Sequence, residues 1–180
     1  EDPALNAAGR TQAEEAAALL RPLQIQAIIA SPAARTLQTA AAVQRATSAP
    51  LEMHEGLRER GFGPWDGLYF SEIEQRYPDD YRQWKRDPAA YTPAGGESIY
   101  DLQRRLQHFV QEVLGQYAGR RVAVVAHVGP IRVALCDALG LAVTAYRRLI
   151  LDYGSLTCVD YGRHQNNLVF LNFRPRPGCD

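Results

Sequence analysis

The chain has 180 residues, 46% of them hydrophobic and 22% charged, a composition ordinary for a globular fold and long enough for one domain with a substantial core. Twenty basic against twenty acidic side chains give a formal net charge of zero, so no global field recruits nucleic acid or an anionic membrane. Cys136, Cys158 and Cys179 form an odd, widely spaced set that fits neither a disulfide framework nor a metal pattern, and no apolar run is long enough to span a bilayer.

In chain order, Ala7 to Leu20 is alanine-rich and reads as a helix, with Asn6 as its cap. A short apolar run from Gln26 to Ala30 reads as a strand. Ser31 then suits an N-cap and Pro32 a first helical position, opening a helix from about Ala33 to Ala46. Arg35 lies about one turn into that helix, beside a strand end. A guanidinium there is shaped to hold a phosphate by two parallel hydrogen bonds, although a single helix arginine is more often a solvated surface residue.

Leu51 to His54 reads as a short strand leading into residues 57–67, a loop with three glycines, a proline and two aromatics. Within it Glu59 stands between Arg58 and Arg60. A carboxyl beside an apolar wall can have a raised pKa and serve as a general acid; the plainer reading is an ion-paired loop glutamate. Ser71 reads as the cap of a short helix. Residues 68–97, rich in aromatics, charges and prolines from Tyr77 to Pro93, read as an insertion packed over a site. Ser98 caps a long helix whose apolar face is Ile99, Leu102, Leu106, Phe109, Val110 and Val113.

Residues 121–130 carry most information. An apolar, β-branched run ends in His127, followed by a Gly-Pro turn and an amphipathic helix from Ile131 to Leu139. In open α/β sheets ligands bind where strand ends meet helix N-termini, and an anion is favoured there by backbone N–H groups and the helix dipole. A histidine that merely satisfies a turn fits that segment equally well. Strands near Leu156–Asp160 and Leu168–Asn172 follow, expected as antiparallel edges, and residues 174–178 read as a loose tail. Helices interleaved with apolar strands imply one domain over residues 1–180, a three-layer α/β/α sandwich with a mostly parallel central sheet.

Taken together these segments resemble the histidine phosphatase superfamily, the phosphoglycerate-mutase-like proteins, over nearly the whole chain. Residues 5–13 resemble the entry to that family's first helix. Ser31-Pro32, Arg35 and Gln38-Thr39-Ala40 resemble its Ser-Pro-x-x-Arg-x-x-Gln-Thr-Ala signature. Leu57, Glu59, Phe62-Gly63, Trp65 and Gly67 fit the loop that carries its acid/base glutamate. Gly95-Gly96-Glu97-Ser98 resembles the entry to its long helix, and Val124-Val125-Ala126-His127 its second catalytic histidine. Each motif is weak alone; their common order is specific.

The resemblance implies a metal-independent phosphomonoesterase with no cofactor. Arg35 and His127 would bind the phosphoryl oxygens, the backbone N–H of Val128 would add a donor, and Glu59 would be the catalytic acid and base. The Glu59 loop and the residues before Ser98 are closer in style to small phosphatases such as α-ribazole phosphatase than to the mutases, which leaves a mutase as the alternative. The family's nucleophile is a histidine in an Arg-His-Gly strand. None of His54, His108, His127 and His164 has that context. The expectation is an upstream strand lying between the segments of Arg35 and His127, with a non-catalytic phosphate-binding protein as the competing reading. The expected partner is a small phosphorylated metabolite, with no nucleic acid and no membrane, in a cytoplasmic protein for which a homodimer is compatible. Arg58, Arg60, Trp65, Tyr69, Trp84 and Tyr91 are candidates for the entrance, with packing the commoner role for such aromatics.

Overall fold

The computed structural model describes residues 2–174. The alanine-rich opening forms α1, Ala7–Leu20, whose first turn is closed by Asn6 Oδ1 accepting from the Gly9 N–H at 2.8 Å. The apolar run after it forms β1, Ala27–Ala30, with every residue buried. Next come α2, Ala34–Thr47, and β2, Leu51–Met53. Two short helices, α3 at Phe70–Arg76 and α4 at Pro78–Arg86, precede the long α5, Ile99–Gln116. The chain then runs through β3, Val122–Val125, and α6, Val128–Ala138, to β4, Leu156–Tyr161, and β5, Asn166–Phe173.

β1 pairs in parallel with β2 on one edge and β3 on the other, in the order β2-β1-β3. A central parallel strand is covered on both faces, which is why β1 has no polar residue. Its alternate side chains separate the layers. Ala27 and Ile29 join the core with Leu102, Leu106 and Phe109 of α5 and Val133 and Cys136 of α6. Ile28 and Ala30 face Ala13 and Ala17 of α1 and Ala40 and Val43 of α2. The small residues on α1 and α2 let those helices approach closely. The Ser98 cap on α5 is worth about 1 kcal/mol. Burying each of Ile99, Leu102, Leu106 and Phe109 contributes about 1.5–3 kcal/mol, so docking dominates over capping in fixing this helix.

Several local expectations shift. α6 starts at Val128, three residues before the expected Ile131: Gly129 and Pro130 are its first turn, where a missing N–H costs nothing. α3 starts at Phe70 and not at a Ser71 cap, with the Tyr69 N–H donating to Glu72 at 2.9 Å. Residues 68–97 hold two helices, α3 and α4, and Tyr81 and Trp84 of α4 pack with Trp65 and Ile73 as a separate apolar cluster. β4 and β5 pair antiparallel with each other as a second sheet and do not extend the first.

The expected gap between the strands of Arg35 and His127 is not where the sequence placed it. β1 and β3 are directly paired, Ala27 to Val122 through Ala30 to Val125. On its other edge β3 has no strand beside it among the described residues, and Val124 is 42% exposed. Cys179 and residues 175–178 of the expected loose tail lie outside the described residues.

Candidate active site

Three segments that are far apart in sequence meet at the carboxyl ends of β1 and β3. β1 ends at Ala30 and delivers Ser31, which is fully buried. β3 ends at Val125 and delivers His127, the N-cap residue of α6 and 7% exposed. Ser31 was expected to cap α2. Instead its hydroxyl lies 2.8 Å from His127 Nε2, and the N-cap position falls to Ala33, which has no capping side chain. The turn between them is held by the buried Thr36, whose hydroxyl reaches the carbonyls of Ser31 and Ala33 at 2.8 and 2.7 Å.

Arg35, in the first turn of α2, places Nη2 3.0 Å from His127 Nδ1. A guanidinium can only donate, so Nδ1 accepts and must be unprotonated. The ring is therefore the neutral tautomer with its proton on Nε2, which donates to Ser31 Oγ. Burial, with the Arg35 charge as the second cause, lowers the His127 pKa to about 4. Protonating Nδ1 would set an N–H against the guanidinium, which is the same conflict seen geometrically.

Glu59 joins this pair from the loop after β2. Its Oε1 accepts from the Arg60 N–H at 2.9 Å, and the carboxylate also takes the Gly129 N–H in the first turn of α6. Burial raises its pKa above the ordinary carboxylate range, the two backbone donors working in the opposite direction. A Cβ at Gly129 would collide with Glu59 Oε1, so a larger residue there would push the Glu59 carboxylate from its place. Val128 is the first residue of α6, where a backbone N–H has no intrahelical acceptor.

The other candidates divide. Arg60 is 5% exposed and is a staple within the fold: Nε donates to Glu97 O at 2.7 Å, Nη2 to Tyr91 O at 3.1 Å, and the guanidinium covers the Phe62 ring. Trp65 and Trp84 are buried packing, and Tyr91 stacks on Trp65. Tyr69 is exposed and Arg58 pairs with Glu55 at the surface. Sequence reasoning missed Arg105. Its guanidinium holds Glu97 through two 2.7 Å bonds and reaches the carbonyls of Gly56 and Arg58 at 2.6 and 3.0 Å, fastening the Glu59 loop to α5. The signal available was its place two turns into the helix whose cap immediately follows Glu97. His54 pairs with Glu112 at 2.9 Å, away from the three converging residues.

The model of the histidine phosphatase superfamily, branch 1, matches residues 1–174. The chain is similar to a bifunctional protein of Mycobacterium tuberculosis, 37% identical over 161 residues, which cover 89% of this chain and 44% of that protein. The chain thus spans less than half the length of that relative. It is 29% identical over 171 residues to phosphoserine phosphatase 1 of Hydrogenobacter thermophilus, covering 95% of this chain and 81% of that one. Among solved structures, a mycobacterial glucosyl-3-phosphoglycerate phosphatase in complex with inorganic phosphate matches with a TM-score of 0.83 at 30% identity, over 96% of this chain and 89% of that chain.

Proposed function

The chain belongs to the histidine phosphatase superfamily, and we propose that it carries the phosphate-binding and acid–base parts of a phosphomonoester hydrolase that works through a phosphohistidine and without a metal ion. The observation that supports this reading is the convergence of Arg35, His127 and Glu59 at one end of the parallel sheet. Arg35 holds the non-bridging oxygens and offsets their charge, and the Val128 N–H adds a donor. His127 joins them once a dianion makes protonation of Nδ1 favourable. Glu59, protonated more readily than an ordinary carboxylate, gives its proton to the departing alkoxide.

The phosphoryl acceptor is an imidazole brought by a strand along the free edge of β3. Its nitrogen forms the N–P bond as the ester O–P bond breaks. Water then attacks phosphorus, Glu59 takes the proton, and the N–P bond breaks to release phosphate. Both nitrogens of His127 are already engaged, which is why it is not the acceptor. The relatives named above, phosphoserine and glucosyl-3-phosphoglycerate phosphatases, point to a small phosphorylated metabolite whose leaving group is an alcohol, hence to a need for Glu59. Hydrolysis is favoured over mutase chemistry by those same relatives. The proposal extends to a cytoplasmic enzyme, monomeric or homodimeric, that engages neither nucleic acid nor membrane.

The test is phosphate release from alkyl and aryl phosphates by the whole protein with chelator present, together with trapping of an acid-labile phosphoenzyme. Turnover with a labelled histidine supports the reading. Tight phosphate binding with no turnover favours a phosphate-binding protein instead, and activity that chelator abolishes removes the metal-independent mechanism.

A further inference from the structure

α2 has no cap of its own. Ala33 at its N-cap offers no side-chain acceptor, and Ser31, the nearest hydroxyl before it, is engaged with His127. The acceptor comes from 32 residues upstream: both carboxylate oxygens of Asp2 lie 2.9 Å from the Ala34 N–H. The same carboxylate stands 3.5 Å from Arg35 Nη1, while Arg35 Nη2 addresses His127. The guanidinium is therefore held on one nitrogen by a carboxylate and on the other by an imidazole. The segment that brings Asp2 is tied to α2 by the Leu5 N–H donating to Gln38 Oε1 at 2.7 Å, and to α1 by Arg10 Nη1 donating to Leu5 O at 2.7 Å.

We propose that Asp2 is a positioning residue of the phosphate site: it caps α2 in trans and fixes the Arg35 guanidinium in the orientation that receives the phosphoryl group. An arginine on a helix surface has several rotamers, and an anion that binds it must freeze one of them. Asp2 freezes it beforehand. A carboxylate near an incoming dianion also repels it, so the proposal requires that the gain from orientation exceed the repulsion. Asp2 shares its charge with the Ala34 N–H at the positive end of α2, which reduces that repulsion. The inference rests on the reading of Arg35 as the phosphate holder.

The experiment measures inorganic phosphate affinity by calorimetry, and kcat and KM on a phosphate ester, for the whole protein and for Asp2→Ala, Asp2→Asn, Arg35→Ala and the double variant Asp2→Ala/Ala33→Ser. Asp2→Ala is expected to weaken phosphate binding roughly tenfold, the worth of one charge-assisted contact. Asp2→Asn, which keeps an acceptor for the Ala34 N–H but not the charge facing Arg35, should fall between. Ala33→Ser supplies a conventional cap with no contact to Arg35; it should restore the thermal midpoint in the Asp2→Ala background but not the affinity. Recovery of both would reduce Asp2 to a helix cap and overturn the proposal. So would unchanged affinity in Asp2→Ala. Tighter phosphate binding in Asp2→Ala would make Asp2 a competitor for the anion's place, also overturning it. If Arg35→Ala leaves phosphate affinity intact, the phosphate-site reading itself fails; if only the Asp2 variants are silent, the positioning role alone fails.

Discussion

At the scale of single residues, Glu59 and His127 are each held in a protonation state set by their surroundings. Burial favours the neutral acid at Glu59, while two backbone N–H donors keep its carboxylate form within reach, a combination suited to a group that gives a proton and then takes one. Glu59→Gln should slow the phosphoryl-transfer step of an alkyl phosphate strongly and that of an aryl phosphate with a good leaving group much less, measured in single turnovers. Equal losses would point to its contact with the α6 N-terminus and not to proton transfer. The same acid role predicts that the alkyl-phosphate rate falls as pH rises through the Glu59 pKa. At His127 the sign is opposite to the usual salt-bridged histidine. The ligand-free ring stays neutral down to about pH 4, and an anion at Arg35 should raise that value. Binding then takes up a proton between the two values and tightens as pH falls. Sulfate is the clean probe, because it does not titrate near neutrality. Calorimetry at pH 5–6 in buffers of differing ionisation enthalpy should detect uptake approaching one proton; zero uptake would place the anion away from His127. The depressed value also has a folding consequence. From the ordinary 6.5 down to about 4 the unfolded chain binds the proton that the folded site excludes, so this group's contribution to stability is lost as pH falls through that window.

At the scale of elements, the site is built by close approaches at two glycines, one to a side chain and one to backbone. Gly129 leaves room for the Glu59 carboxylate at the start of α6. Gly96 approaches the Gly61 carbonyl, so closely that a Cβ would stand 2.5 Å from it, and the Glu97 N–H donates to that carbonyl at 2.9 Å. The segment before α5 is thereby held to the Glu59 loop, with Arg60 and Arg105 as the charged fasteners. Gly129→Ala should displace Glu59 without removing any functional group. We expect a fall in kcat of roughly ten- to a hundredfold, as for a misplaced catalytic group, with little change in KM. An unchanged kcat would mean that Glu59 relaxes freely. Much of this was legible from the chain alone. The helices and strands around β1 and β3 follow from apolar periodicity, and Arg35, Glu59 and His127 stand out because each follows a strand. What was not legible depends on contacts across the chain. Nothing local distinguishes Ser31 as a His127 partner from Ser31 as a cap, because both uses suit a serine before a proline. Nor could periodicity separate Gly129-Pro130 as a turn from Gly129-Pro130 as the first turn of α6, because a Gly-Pro pair suits both. Arg60 read as an entrance residue because its acceptors are backbone carbonyls of residues 91 and 97, invisible to side-chain pattern.

At the scale of the molecule, the position of the sheet's edges bears on both folding and chemistry. β1 is paired on both edges, where an unpaired ladder would be tolerated least. Among the described residues β3 pairs on one edge only, and the β4–β5 pair stands as a separate sheet. β5 presents Val169, Leu171 and Phe173 to solvent, and Val124 of β3 is exposed as well. On α6, Arg132 has a buried Nε with no hydrogen-bond partner among the described residues. Unpaired strand edges, apolar side chains in water and an orphaned buried donor are each costly, and they occur in the half of the molecule that includes His127. A strand placed along β3 would relieve the first directly, and its carboxyl end, parallel to β3, would emerge beside His127. A histidine there is suitably placed to attack a phosphoryl group held by Arg35. Two proteins therefore deserve direct comparison: residues 1–180 alone, and the same residues preceded by an apolar strand ending in Arg-His-Gly. The longer form should unfold cooperatively at a higher temperature and release phosphate from esters with chelator present. The shorter form should unfold broadly and turn nothing over. Cooperative unfolding of the short form at the same temperature would show that the free edge of β3 costs little. Phosphate release by the short form would mean that a histidine already in this chain accepts the phosphoryl group, and the place of the acceptor would have to be sought among His54, His108, His127 and His164.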